Sequence, residues 1–141
     1  MSTNELLVMS IQPQWVDQIV AGLKTVELRR RPPSLSRPTR AIIYETSPRK
    51  RVRVICEMGP VTSGPVGEVW KNLGKQSRVS EDHYSRYFDG MSQAHAIHIG
   101  KVMEFPNLLP LDVLRSSANF IPPQSWYWAK PALIKFIEKK I

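Results

Sequence analysis

The sequence predicts an α+β domain in which about five to six short strands curl into a small β-barrel flanked by short helices. Two observations lead to this prediction. Several short segments alternate apolar and polar residues, as half-buried strands do, and others repeat apolar residues at helical spacing behind a proline or a capping residue. With 141 residues and neither an internal repeat nor a long linker, we expect one domain over residues 1–141.

The amino-terminal half favours a strand, a helix and three further strands. Residues 6–11 form a short apolar run of strand length. Pro13 suits the first turn of a helix, where its missing N–H costs no hydrogen bond, and Gly22 favours the end of that helix. Further strands are predicted over residues 25–29, 41–46 and 51–58, with a proline-rich loop after the first and Ser47-Pro48 after the second.

The carboxy-terminal half favours short helices around one long strand. Residues 68–74 and 80–88 fit short helices, and Ser80 is a suitable N-cap for the second. A long strand is predicted over residues 94–105, a helical turn over residues 111–115, and an amphipathic helix over residues 131–141 that opens at Pro131. Glycine and proline residues between 59 and 65 are expected to interrupt regular structure.

The chain has one cysteine, Cys56. It alternates with Val52 and Val54 on the face opposed to Arg51 and Arg53, so we interpret it as a core thiol. A single cysteine excludes an intramolecular disulfide framework and supplies no zinc-ligand set. His95 and His98 lie three apart in a strand and therefore face opposite sides, while His83 is alone. We expect no metal site and no cofactor.

Targeting signals are not evident. Residues 1–5 carry no basic segment ahead of a long apolar run. No stretch approaches the roughly 18 uninterrupted apolar residues of a membrane span. We therefore expect a soluble, intracellular, cytoplasmic protein with no membrane partner.

Positive charge is concentrated in one part of the chain. The formal net charge is +8, and nine basic residues lie between Arg29 and Arg53 against Glu45 alone, which accounts for the whole excess. A localised positive field attracts polyanions, above all phosphate backbones. The segment therefore predicts nucleic-acid or nucleotide binding, and the alternative is a solvated surface that keeps the protein soluble.

Two short stretches carry a family resemblance. Ser10–Pro13 and Gly22–Arg29 resemble the ASCH family, which has a strand ending in a Ser-Ile-x-Pro-like turn, one helix and then a Gly-x-Lys-x-x-Glu-x-Arg stretch. The resemblance continues through residues 44–48, the helix with Trp70, and residues 87–90 and 122–126.

This resemblance implies a PUA-like β-barrel with a cleft lined by Lys24, Glu27 and Arg29. It also implies RNA binding, RNA modification or RNA-linked regulation, and RNA as a partner in preference to DNA. Some relatives are similar to amidohydrolases that act on N4-acetylcytidine, and others to ribonucleases. Lys24 corresponds to the amidohydrolase lysine, whereas those enzymes have threonine in place of Glu27. Glu68 and Glu81 are the candidates for their further glutamate.

The residues themselves support a cleft of this kind. Glu27 and Arg29 share a strand face and Lys24 precedes them, so an ammonium, a carboxylate and a guanidinium can together bind a phosphate and move a proton. The alternative is an ion pair that only fastens the helix to the barrel. If the protein is an enzyme, Lys24 and Glu27 are the predicted catalytic residues. The predicted nucleic-acid-binding residues are Gln12, Lys24, Arg29, Arg30, Arg31, Tyr44, Ser47, Arg49, Lys50, Arg51, Arg53 and Gln124.

Three functions follow from these observations. The leading hypothesis is an RNA-binding domain that holds a base or phosphate in the cleft. The alternatives are a small hydrolase, acting on a modified nucleoside or on RNA, and a protein-interaction module that uses the proline-rich loop 31–38 and the aromatic segment. The aromatic residues Trp126, Tyr127 and Trp128 could stack on unpaired bases, but we interpret them as core residues.

Overall fold

The computed structural model describes residues 5–141 and contains, within them, six strands and five helices. The order is β1 (Leu7–Ile11), α1 (Pro13–Val20), β2 (Val26–Leu28), β3 (Thr39–Glu45), β4 (Arg51–Pro65), α2 (Val66–Ser77), α3 (Glu81–Tyr87), β5 (Gln93–Pro110), α4 (Leu111–Ala118), β6 (Trp126–Trp128) and α5 (Pro131–Glu138). The predicted α+β class is confirmed. The expectation of no signal segment concerns mainly residues 1–4, which lie outside the described residues.

All six strands belong to one mixed sheet in the order β2-β5-β4-β3-β1-β6. β1 pairs with β3 in parallel, and the other ladders are antiparallel. The sheet stays open, because its edge strands β2 and β6 do not pair with each other. The barrel predicted from the sequence is therefore an unclosed one, and its opening lies between β2 on one side and β1 with β6 on the other.

Both faces of the sheet are covered by apolar side chains. β1 is buried along its whole length, and its side chains alternate between two core clusters, with Val8 in one and Met9 in the other. α4 and α5 cover the first cluster, while α1 covers the second through Val16 and Ile19. A third cluster joins β2 to α2 and α3. Period-two alternation explains how one strand serves both faces.

Local residues set several boundaries as predicted. α1 and α5 open at prolines, Gly22 follows α1 with a φ of +77°, and the Ser80 hydroxyl accepts a hydrogen bond from the His83 backbone N–H at 3.1 Å. α2 is longer than residues 68–74, and α4 runs to Ala118. The short strand β6 was not predicted.

Irregular pairing in β4 overturns two predictions. Register shifts occur between Val52 and Val54 and between Met58 and Val61. The first shift separates Val52, which packs in one core cluster, from Val54 and Cys56, which pack in the other. The predicted common face for the three residues is therefore wrong. At the second shift the strand continues to Pro65, because a bulge tolerates a proline that has no N–H for the ladder.

A candidate nucleic-acid cleft

A cavity of about 410 Å³ lies at the opening of the sheet. Five residues singled out in the sequence line it: Gln12, Lys24, Glu27, Arg29 and Gln124. Val26 and Leu28 are buried against α2 and α3, so the alternation of β2 turns Glu27 to the other side, as predicted. The charged residues of the family motif therefore share one cavity.

Lys24 is buried, with 3% of its surface exposed. Its Nζ donates a hydrogen bond to the Ser77 carbonyl oxygen at 2.7 Å and lies 3.4 Å from Glu27 Oε1. The ammonium also lies 5.2 Å from the centroid of the Trp15 ring, within cation–π range. Burial lowers the pKa of Lys24, and the nearby Glu27 carboxylate opposes that shift.

Arg29 spans the opening of the sheet. Its Nε and Nη2 donate to Glu27 Oε2 at 3.1 and 2.8 Å. Nη2 also donates to the Ser10 carbonyl oxygen at 2.7 Å, and Nη1 donates to Ser125 Oγ at 3.1 Å. The side chain thus connects β2 to β1 and to the segment before β6. The ion pair with Glu27 is therefore structural as well as part of the cleft wall.

The cleft carries a net charge of about +1 from these groups, since Lys24 and Arg29 are opposed by Glu27. A phosphodiester is a monoanion, so the balance suits one such group. Gln12 and Gln124 add exposed amides beside it. The Ser10 hydroxyl donates to the Pro123 carbonyl oxygen at 2.7 Å, which holds the backbone next to Gln124 in place.

An aromatic wall of the same cavity was not predicted. Trp15, His83 and Tyr87 line it. The rings of Trp15 and His83 are 6.2 Å apart and inclined at 62°, and those of His83 and Tyr87 are 6.4 Å apart and nearly parallel at 15°. The spacing of His83 and Tyr87, four residues apart in a predicted helix, was the available signal for a shared face.

Other predicted site residues lie away from the cavity. Tyr44 is buried, and its ring lies 5.4 Å from that of Phe120 in the core cluster under α4 and α5. Desolvation raises the pKa of its hydroxyl. Ser47 is exposed in the turn before Pro48. Glu68 and Glu81 are also exposed, and neither of them lines the cleft.

Three arginines of the basic segment belong to an ion-pair network. Glu45, with no exposed surface, accepts hydrogen bonds from Arg49 Nη1 at 2.7 Å and from Arg51 Nε at 2.6 Å. Three acids, Asp17, Glu45 and Glu104, thus face Arg49, Arg51 and Arg53, so these charges balance.

The network also sets the protonation of Asp17. Hydrogen bonds from Arg49 and Arg53 lower the pKa of the Asp17 carboxyl to about 2. The same contacts raise the pKa of Arg49, and a hydrogen bond to Glu104 raises that of Arg53. Asp17, Arg49 and Arg53 therefore stay charged at neutral pH.

Fewer basic residues lack an acidic partner than the sequence suggested. Within residues 5–141, Arg30, Arg31 and Lys50 form no ion pair, whereas Arg40 pairs with Glu138 at 3.5 Å. The Arg30 backbone N–H donates to the Tyr87 hydroxyl at 3.3 Å, and Arg30 lines a hollow together with His83 and Tyr87. This unpaired arginine therefore adjoins the aromatic wall.

The family model for the ASCH domain matches residues 9–103 of this chain. The chain belongs to the ASCH domain family. The match contains the whole Gly22–Arg29 stretch, and it confirms the resemblance on which the cleft was first predicted.

Relatives extend the likeness of this ASCH chain beyond the matched residues. The chain is 36% identical over 124 residues to an ASCH domain-containing ribonuclease of Zymomonas mobilis subsp. mobilis, across 87% of this chain and 83% of that protein. The crystal structure of ASCH from Zymomonas mobilis superposes with a TM-score of 0.86 at 33% identity, covering 96% and 95% of the two chains. The N-terminal domain of Staphylothermus marinus McrB shares the fold alone, with a TM-score of 0.62 at 12% identity over 96% and 94%.

The remaining reactive groups of the ASCH chain, Cys56, His95 and His98, do not line the cleft. Cys56 is buried, and burial raises the pKa of its thiol to about 12, as fits the predicted core role. His95 and His98 contact different hydroxyls on β4, those of Ser63 and Thr62. In the described part of the chain, no group of three or more His, Cys, Asp or Glu residues could hold a metal ion. None of the helices there is long and apolar enough to cross a membrane.

Proposed function

We propose that this ASCH domain binds RNA in the cleft and cleaves its backbone. The observation that carries the proposal is the charged group of Lys24, Glu27 and Arg29 at the open edge of the sheet, in a chain that is 36% identical to a ribonuclease over 87% of its length. Phosphate binding alone would fit RNA and DNA equally, and RNA is preferred here because of that relative.

Binding begins with the phosphate. An ammonium has three donors. Lys24 uses one for the Ser77 carbonyl oxygen and directs another toward Glu27, which leaves one for a phosphate oxygen in the cleft. Because Lys24 is buried, such a charge-assisted hydrogen bond is stronger than it would be in water. Gln12 and Gln124 can both donate and accept, as contacts to a sugar or a base edge require.

Cleavage requires two proton transfers. The 2′-oxygen bonds to phosphorus while the bond from phosphorus to the 5′-oxygen breaks, so the 2′-hydroxyl loses a proton and the 5′-oxygen gains one. We assign the first transfer to Glu27 Oε1, which faces one donor group, the Lys24 ammonium, whereas Oε2 accepts two hydrogen bonds from Arg29. Lys24 donates the second proton, because its lowered pKa makes it a better acid than an exposed lysine.

An amidohydrolase acting on N4-acetylcytidine has less support. Those enzymes have threonine in place of Glu27, and neither Glu68 nor Glu81 lines the cleft. A protein-interaction module has less support as well, because the Trp126 Nε1–H donates to the Arg31 carbonyl oxygen at 2.9 Å and so ties the proline-rich loop to the sheet.

The test compares labelled RNA, DNA of the same sequence and N4-acetylcytidine as substrates of the wild type, Lys24→Met and Glu27→Gln. We expect product from RNA alone and a loss of about 10²- to 10⁴-fold in each variant. Lys139→Met, which removes an exposed lysine beyond α5, is the matched control and should retain full activity. Circular dichroism of each variant checks the fold.

Two results would contradict the proposal. Undiminished cleavage in both folded variants would place the chemistry elsewhere. Salt-sensitive RNA binding without product from the wild type would make the domain a binding module, since phosphate contacts weaken steeply with ionic strength.

A further inference from the structure

The outer face of α3 carries two rings that no part of the cleavage chemistry uses. His83 and Tyr87 lie four residues apart on this helix, so their side chains share a face. Their planes are within 15° of parallel, and His83 is exposed while Tyr87 is half-buried. Core aromatics pack against apolar neighbours on all sides, whereas this pair presents ring surface to water.

The Tyr87 ring is held in place from behind. It packs edge-to-face on the buried Phe88 ring at 4.8 Å, and its hydroxyl accepts a hydrogen bond from the Arg30 backbone N–H at 3.3 Å. A ring fixed in this way loses little conformational freedom when a ligand stacks on it, so more of the stacking energy is available for binding.

Both rings border a second space. An open hollow of about 480 Å³ adjoins the cleft and is lined by Arg30, His83, Arg86 and Tyr87. His83 and Tyr87 therefore line both spaces. Arg86 pairs with Asp82, but both side chains are largely exposed, so the pair is weak. Arg30 pairs with no carboxylate within residues 5–141.

We propose that His83 and Tyr87 form a stacking site for one unpaired base, with Arg30 and Arg86 binding the adjoining phosphate. The inference rests on the proposed RNA binding and specifies the substrate as single-stranded next to the cleft. Flat ring faces flanked by guanidinium groups match a nucleotide, because a base supplies a π-face and its phosphate a negative charge. From Lys24 the contacts pass through the Trp15 ring to His83 and Tyr87, which gives a strand a continuous path out of the cleft.

The test uses a six-nucleotide single-stranded RNA with 2-aminopurine at one position, whose fluorescence falls when that base stacks. Sugars with 2′-O-methyl groups remove the attacking hydroxyl, so binding is measured without cleavage. His83→Leu and Tyr87→Leu remove a ring and keep apolar volume. We expect each variant to raise the Kd of the probe by about 5- to 150-fold. We also expect each to abolish the fall in 2-aminopurine fluorescence when that base occupies the stacking site.

Matched controls separate stacking from packing. Tyr87→Phe keeps the ring and should bind within about two-fold of the wild type, and His83→Tyr should restore the binding that His83→Leu loses. Arg86→Gln should make the salt dependence of binding shallower by about 0.7 in slope for one lost phosphate contact. Arg115→Gln, an exposed arginine on α4, should leave the slope unchanged.

The outcomes distinguish this site from the proposed function. If the wild type cleaves unmodified RNA but His83→Leu binds the probe as tightly as the wild type, the stacking site is refuted and the proposed function stands. Absence of both cleavage and binding of unmodified RNA refutes the proposed function and this site with it. His83 is exposed, so His83→Leu tests the site even if Tyr87→Leu fails to fold.

Discussion

Glu45 lies at the centre of the ion pairs made by Arg49, Arg51 and Arg53, and its removal should lower the stability of the protein. Glu45→Gln tests this, because the side chain keeps nearly the same shape and loses its charge. The carboxylate has no exposed surface and accepts two short hydrogen bonds from guanidinium groups. Breaking a buried ion pair costs about 3–5 kcal/mol. We expect the lower end, about 3 kcal/mol, because Asp17 and Glu104 still neutralise Arg49 and Arg53.

Equilibrium unfolding in urea at pH 7 measures this loss directly. A destabilisation of about 3 kcal/mol should also lower Tm by roughly 6–12 °C for a domain of this size. Asp17→Asn is the control, because Asp17 is half exposed and its removal should cost less than about 1 kcal/mol. If the two variants lose the same stability, or if Glu45→Gln loses less than about 1 kcal/mol, Glu45 is not the centre of the network.

Three further predictions address packing, reactivity and pH. In Gly74→Ala the new methyl group would lie 2.6 Å from the Trp70 ring, so we expect the free energy of unfolding to fall by about 1–3 kcal/mol. Gly67→Ala in the same helix meets nothing within 4 Å, and its free energy of unfolding should stay the same or rise by up to about 1 kcal/mol. Urea unfolding that finds Gly74→Ala more stable than Gly67→Ala would refute this explanation. Cys56 should resist iodoacetamide at pH 8 in the native protein and react in urea, because it is buried and its thiol pKa is about 12. Mass spectrometry measures the labelling, and rapid labelling of the native protein would contradict this prediction. The pKa of Asp17 falls from 3.8 to about 2 on folding. Its contribution to stability should therefore be complete above about pH 4 and disappear as the pH falls through about 2. The difference in Tm between the wild type and Asp17→Asn should vanish over that pH interval, and its loss near pH 6 would contradict this prediction.

Elements set by local chemistry could be predicted from the sequence. Pro13, Pro131 and Ser80 each act on the helix turn in which they lie, so the beginnings of those helices followed from the residues alone. The course of residues 59–65 did not, because their strand conformation comes from pairing with β5, which lies some thirty residues away in sequence. β6 is similar, since its three residues are held by β1 at the other end of the chain.

The candidate site likewise has a part that the local sequence predicted and a part that depends on long-range packing. Lys24, Glu27 and Arg29 lie within six residues, so alternation and the family motif together predicted a shared cleft. The aromatic wall requires α3 to lie beside α1, which no local pattern indicates. Charge counting also overestimated the exposed positive field, because Asp17 and Glu104, far from residues 49–53 in sequence, neutralise part of it.

The open sheet has a consequence for solubility. Unpaired strand edges are templates on which a second chain can add a strand, and proteins limit this hazard with short edge strands and charged side chains. β2 and β6 have only three residues each, and β2 carries Glu27 with Arg29 directly after it. Each of these two edge strands is therefore too short to template extended pairing with another molecule. These two strands can therefore border an accessible opening for a ligand while offering little edge on which another chain could pair.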